Sequence, residues 1–488
     1  MSVDRRTLVR SAAALSAAGP FGGLVAQQAA QAAHVAPRAV DLVPVEDKRD
    51  GKVRLHLPPG FKYRSFHDTE APVVLHDGTE LPGRHDGMGA FRGPDDTFIL
   101  VRNHEVNNPR PAFGPGKPYD PMAGGGTTTI QVTRRGEVLR SFTSLNGTMM
   151  NCSGGRMPWG AWVTCEETVN GPDVGPDFTG ASNVPLTKPH GYVFEVPAKH
   201  RQSAGQSTRK PIRNAGRFAH EAVSFDPKDG YLYLTEDNFA FASGFYRYRP
   251  PAHPMKAGRL KDGGRLQMLK VKGTRNAHLE GHQVEGATYD VQWVDIDEPD
   301  VLYPYEPGEV APTPNDTALT HVSSQGWAKG AAYFSRLEGQ VYDRGVVYFT
   351  STQGGGLAED GSHDPAGFGN GSGQVWAYHT RSKRLRALFQ SSGPLQLDLP
   401  DNITTSPRGT LVVCEDNTND NFIRGLSPNG RIWDIALNRL RSSTDVDRSN
   451  DEFAGSTFSP DGRTLFVNIQ ASAGMTFAIW GPWRSIGV

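Results

Sequence analysis

Little in this 488-residue chain points to a membrane, to nucleic acid or to a disulfide framework. Past the N-terminal stretch no run of eighteen apolar residues occurs, which excludes the usual helical membrane span. Mean hydropathy is -0.48. The formal net charge is -1, so no basic field invites nucleic acid. Cysteine occurs three times, at Cys152, Cys165 and Cys414. In an exported protein an odd count leaves at least one thiol unpaired. There is no Cys-x-x-Cys pair, no His-Glu-x-x-His and no EF-hand loop, so standard zinc and single-calcium modules are not indicated. Helical periodicity is sparse. The 56 Gly and 36 Pro instead suit many short strands joined by turns.

What is present is a repeat. Six times the chain runs from a polar ligand-type residue through a strand, a tight turn and a second strand to another polar or acidic group. The openers are Asp86, Cys152, Glu221, Glu338, Asp401 and Glu452. Five closers can be named: His104-Glu105, Glu166-Glu167, Glu236-Asp237, Glu415-Asp416, and Asn468 with Gln470. A hairpin returns its second strand to the level where the first began, so openers and closers share one face. Each unit carries a third strand-like segment: 127–132, 191–197, 245–250, 374–378, 431–435 and 475–480. Radially repeated sheets of this kind predict an all-β fold, a six-bladed β-propeller. A sheet sandwich fits the strands but not the repeated hairpin. Residues 251–330 interrupt the pattern and read as an elaborated outer strand plus a loop over the mouth. The segment LHLPPGFKYRSF is expected to close the ring by pairing with the last blade.

The first 32 residues read as a targeting segment. Arg5 and Arg6 precede an apolar, Ala-rich stretch, and Ala30-Gln31-Ala32 fits a small-x-small cleavage site. Twin arginines point to Tat export, a periplasmic or extracellular destination, and a mature domain over 33–488. Loss of residues 1–32, with three Arg and one Asp, would move the net charge from -1 to -3.

Carboxylates converging on one mouth cannot all stay ionised without cations, because like charges and burial raise one another's pKa. Asp, Glu and Asn oxygens suit calcium. Cys165 and Cys414 read as small buried hydrophobes. Cys152 stands where other units carry a carboxylate, and reads as a metal ligand or a nucleophile. A thiolate beside carboxylates suits a softer ion such as iron. Arg336 stands two residues before Glu338. In extended backbone the two would face one way, giving either a salt bridge to the acidic ring or a clamp for an anionic substrate such as phosphate. His85, His104 and His220 read as supporting rather than ligating.

Taken in order, HDGMGAF, VRNHE, NCSGG, PWGAWVTCEE, RFAHEAVSFDP, YLYLTED, FSRLEG, PDNITTSPRG, CED, FAGSTFSPDG and FAIWGPW resemble the PhoX-type alkaline phosphatase family. The resemblance covers nearly the whole chain after residue 32. It implies a six-bladed propeller, Tat export, and hydrolysis of phosphate monoesters at a site holding ferric iron and calcium. It places the iron-ligating cysteine at Cys152, metal-binding glutamates at Glu221 and Glu338, and the phosphate-binding arginine at Arg336. Further metal ligands fall among Glu166, Glu167, Asp401, Glu415 and Asp416. Where the family often has Thr after the Gly of PWG, this chain has Ala161.

The reading is an exported, metal-dependent phosphomonoesterase. Its expected partners are small phosphate esters and, during export, the Tat translocase. Nucleic acid and stable membrane insertion are not expected, and a monomer is. Two rivals remain at this point. One is a calcium-dependent propeller hydrolase of lactones, carboxylic esters or phytate. The other is a non-catalytic, calcium-stabilised binding module. Cys152 and Arg336 argue against a calcium-only site.

Overall fold

The computed structural model describes residues 41–359 and 368–488. The expected targeting segment, with Arg5 and Arg6, lies outside them. The fold is all-β and propeller-like, with few helices. Strands form where β-branched and aromatic residues cluster, as in Gly125–Val132 (GGTTTIQV) and Leu232–Glu236 (LYLTE). Tight turns join them at glycines with positive φ, such as Gly230 (φ 77) and Gly409 (φ 84).

The first strand of each repeated hairpin is an inner strand. These are His85–Arg92, Asn151–Met157, His220–Phe225, Leu337–Asp343, Pro400–Thr405 and Glu452–Phe458. Each packs against the next, and the last returns to the first, so the six form a closed ring. Hydrogen bonding does not divide the strands into six separate sheets. Among the described residues it gives five, of six, three, nine, four and four strands. The nine-stranded sheet arises because the outer strand Thr288–Asp295 pairs with Arg384–Gln390 of the following unit. The three-stranded sheet stops after Val193–Pro197.

Ring closure follows the expected route: Lys62–Phe66 pairs antiparallel with Met475–Trp480. Val53–Leu57 adds to the outer edge of Ile432–Asn438. That strand was expected to be third in its unit. It is fourth, because Phe422–Leu426 comes between it and Leu411–Glu415.

Every inner hairpin carries a register shift at the same level. The shifts fall between His85/Met88, Asn151/Gly154, His220/Val223, Leu337/Gln340, Pro400/Ile403 and Ala454/Thr457. Such bulges re-aim side chains out of the regular alternation. Glycine lets the bulged backbones approach closely. A Cβ on Gly155 would lie 1.9 Å from Val223 O, and one on Gly339 2.5 Å from Asp401 O. Gly155→Ala is therefore expected to cost about 1–3 kcal/mol in overpacking. Denaturant unfolding of the full chain measures this, and an unchanged midpoint would contradict it.

Candidate active site

The bulges set the site. Their first residues are Asp86, Cys152, Glu221, Glu338, Asp401 and Gly455. The first five line a cavity of about 290 Å³ on the axis of the ring. The sixth unit departs from the reading by sequence, in which Glu452 was the equivalent opener. Its bulge position is Gly455, and Glu452 lies at the start of the strand, paired with Gln470. Glu452 still lines the cavity, as does Gln470.

The closing acidic pairs split in a regular way. Glu166, Glu236 and Glu415 are each the last residue of the second strand, opposite the residue just before the bulge. They turn out of the cavity and accept hydrogen bonds at the start of the third strand. Glu166 takes Gly191 N (2.9 Å) and Tyr192 N (3.1 Å). Glu236 takes Gly244 N (2.8 Å) and Tyr246 Oη (2.7 Å). Glu415 takes Phe422 N (3.2 Å) and pairs with Arg424. The next residues, Glu167, Asp237 and Asp416, face the cavity, as does Glu105 after His104. Among the expected ligands, Glu166 and Glu415 therefore stand outside the cavity. Asp86, Glu105, Asp237 and Glu452 belong to its wall and were not singled out as ligands. Period-two alternation was the signal that could have sorted each pair.

Two ligand clusters share a residue. One ligand atom each from Cys152, Glu167 and Glu221 lies within 4.8 Å of the others, and the same holds for Glu221, Glu338 and Asp401. Burial, then neighbouring carboxylates, raise the pKa of Asp86, Glu221 and Glu338. The same causes, with Asp416 foremost among the neighbours, push Asp401 up to about 8. Burial, Glu221 and Glu167 push the Cys152 thiol up as well. Cations would relieve all of these at once, and the donor set of one sulfur among oxygens fits metal ions.

Arg336 reaches this cluster by a different route from the one expected. It is not extended: its φ is 41, and the strand begins at Leu337. Its guanidinium nevertheless grips Asp237 through two bonds, Nε to Oδ1 (3.1 Å) and Nη2 to Oδ2 (3.0 Å). Nη2 also donates to Glu338 Oε1 at 2.6 Å. Burial works against its charge, but Asp237 and Glu338 outweigh burial and keep it protonated. At the opposite wall Arg84 pairs with Glu105, which also accepts from Gln470.

The histidines stay out of the cavity. His104 bonds Gly83 O and Thr128 Oγ1, each at 3.0 Å, and His220 bonds Gly216 O at 2.9 Å. Burial lowers the pKa of His85, His104 and His220. Cys165 and Cys414 are buried in the apolar core. Residues 251–330 supply no part of the cavity wall. Its rim comes from Asn107, Asn108, Arg110, Phe178, Thr179, Asn417, Thr418 and Asn450 instead.

One histidine that the sequence did not single out supports the site from behind. His190 Nδ1 meets Glu166 Oε1 at 2.6 Å, and Nε2 lies 3.5 Å from Asp120. Burial opposes its charge, yet Glu166 and Asp120 prevail and push it up to about 9, from an ordinary 6.5. A raised folded-state pKa adds stability that is whole below about 6.5 and is lost as pH rises through about 9. His190→Gln should therefore lower Tm by a few degrees at pH 6 and by much less at pH 10. Paired thermal melts measure this, and a pH-independent difference would refute it.

The family Alkaline phosphatase PhoX matches residues 40–473. Among solved structures, Pseudomonas fluorescens PhoX in complex with vanadate, a transition state analogue, is 18% identical with a TM-score of 0.61. The match covers 91% of this chain and 98% of that one. Virginiamycin B lyase from Staphylococcus aureus is 12% identical, with a TM-score of 0.38 over 86% and 99% of the two chains. No curated protein sequence matches the chain.

Proposed function

This chain belongs to the alkaline phosphatase PhoX family, and on that premise we propose that it is an exported phosphomonoesterase working at a mixed iron and calcium site. The observation that carries the proposal is Glu221, which joins a sulfur-containing cluster to an all-oxygen one beside Arg336. The thiolate of Cys152 with Glu167 and Glu221 suits ferric iron, and Glu221 with Glu338 and Asp401 suits an ion that takes only oxygen ligands, such as calcium. Asp86, Glu105 and Asp416 are further oxygen donors on the same wall. When bound, the ions would polarise the phosphoryl oxygens and offset charge that gathers in the transition state.

The chain's own residues do the rest. Arg336 spends Nε and Nη2 on Asp237 and Glu338, which leaves Nη1 of its planar guanidinium to donate to the equatorial phosphoryl oxygens. Asp237 holds the guanidinium in orientation through those two bonds, so little rearrangement is needed at reaction. The ring of bulges fixes the ligands to the rigid axis rather than to loops. We read the nine-stranded sheet as two blades joined at their outer edges, which gives six blades around the ring. This reading rests on the six inner strands and their matched bulges. Residues 33–488 then form one propeller domain, and residues 1–32 with Arg5 and Arg6 are the Tat signal. The vanadate complex of the Pseudomonas fluorescens protein favours the same chemistry.

Hydrolysis of a chromogenic phosphate ester by the purified protein tests this. Activity should fall when a chelator strips the metals and return only when iron and calcium are both restored. Turnover of a lactone or carboxylic ester, with none of the phosphate ester, would overturn it.

A further inference from the structure

The ring of inner strands has a second cavity, of about 330 Å³, farther along the same strands. Cys152 lines the first and Ser153 to Met157 the second; Asp401 lines the first and Asn402 to Thr405 the second. Hydrogen bonds join the inner strands at this level. Asn402 Nδ2 donates to Ser153 Oγ at 3.4 Å, and its Oδ1 accepts from Ser456 N and Oγ, each at 2.9 Å. Ser224 donates to Gln340 Oε1 at 2.5 Å. The residues that make these bonds line the second cavity, and none of them lines the first.

The chemistry of the second cavity inverts that of the first. Among the described residues no carboxylate lines it, and Arg156 is its one charged side chain. Arg156 is exposed, with its guanidinium carbon 5.4 Å from the centroid of Phe91. It makes no ion pair among the described residues. Thr404, Thr405, Thr457, Trp162 and Tyr342 are also part of its wall. A concave site of this size with a few converging polar groups and aromatic walls suits a small ligand.

We propose that this second cavity binds a small organic monoanion bearing hydroxyl groups, of the sugar-acid or sugar-sulfate class. Arg156 takes the anionic group through its fork. The threonines exchange hydrogen bonds with hydroxyls, and the rings cover the apolar face of the sugar. The absence of carboxylates separates this ligand from cations, which the first cavity collects.

Glucose 6-sulfate is the probe, because a phosphate ester would also occupy the first cavity. Titration calorimetry on the metal-loaded full-length protein should show saturable binding. Arg156→Gln should weaken it by about tenfold or more, from the loss of a charge-assisted contact. Thr404→Trp should block it by filling the cavity. Arg336→Gln should leave it unchanged, and Arg156→Gln should leave hydrolysis of the chromogenic phosphate ester unchanged. No binding to the wild type would overturn the proposal. So would binding that survives both second-cavity variants but is lost in Arg336→Gln, which places the probe in the first cavity. Equal binding of uncharged glucose would remove the requirement for an anion.

Discussion

Arg336→Ala should lower kcat/KM for a phosphate monoester by about 10²–10³-fold, the usual loss when one donor to a developing oxyanion is removed. The size of the effect comes from burial and geometry. The guanidinium is 11% exposed and fixed by Asp237 and Glu338. Its removal also leaves those two carboxylates facing each other without a cation, so Arg336→Ala perturbs the site as well as the substrate. Arg336→Lys separates the two roles. Lysine keeps the charge beside Asp237 and Glu338 but lacks the fork, so metal content should hold while most of the activity is lost. Full activity in Arg336→Lys would mean that charge alone suffices and that the clamp is not used.

Cys152→Ser should abolish iron binding and reduce activity at least about a hundredfold, the worth of several kcal/mol of metal assistance. The Cys152 thiol is buried, and burial with Glu221 and Glu167 pushes its pKa up. It therefore becomes a thiolate only when a metal displaces its proton. Serine is close in size, but its hydroxyl gives up its proton far less readily than a thiol, so it is a much poorer anionic ligand. Calcium at the Glu221, Glu338 and Asp401 cluster should survive the change in part, because only Glu221 is shared. Elemental analysis of wild type and variant, beside their hydrolysis rates, measures both effects. Retained iron in Cys152→Ser would assign iron elsewhere in the wall.

The sequence made the repeat legible because its hairpins alternate strand formers with glycine turns. It made Cys152, Glu221, Glu338 and Asp401 legible because each opens a hairpin at the same offset. The bulges were not legible. They appear only when the second strand is paired and two residues oppose one, as Asp86-Gly87 oppose Asn103 and Glu338-Gly339 oppose Thr350. Without them the sixth opener could be counted as Glu452, although Gly455 holds the equivalent place. The closing pairs were visible as pairs but not as one inward and one outward residue. Glu166 and Glu415 looked equivalent to Glu167 and Asp416, whereas burial of backbone N–H groups at the third strand claims the first of each pair. The five-sheet hydrogen bonding was also hidden. It depends on the long-range pairing of Thr288–Asp295 with Arg384–Gln390, which no local pattern encodes.

The central claim is that a thiolate and a shared glutamate hold iron at the axis of this ring. Anomalous diffraction at the iron edge, from crystals of the exported holoprotein, tests it most directly. The account predicts an iron peak within bonding distance of both Cys152 Sγ and a Glu221 carboxylate oxygen. An iron peak away from Cys152, or calcium alone at the axis, would contradict it.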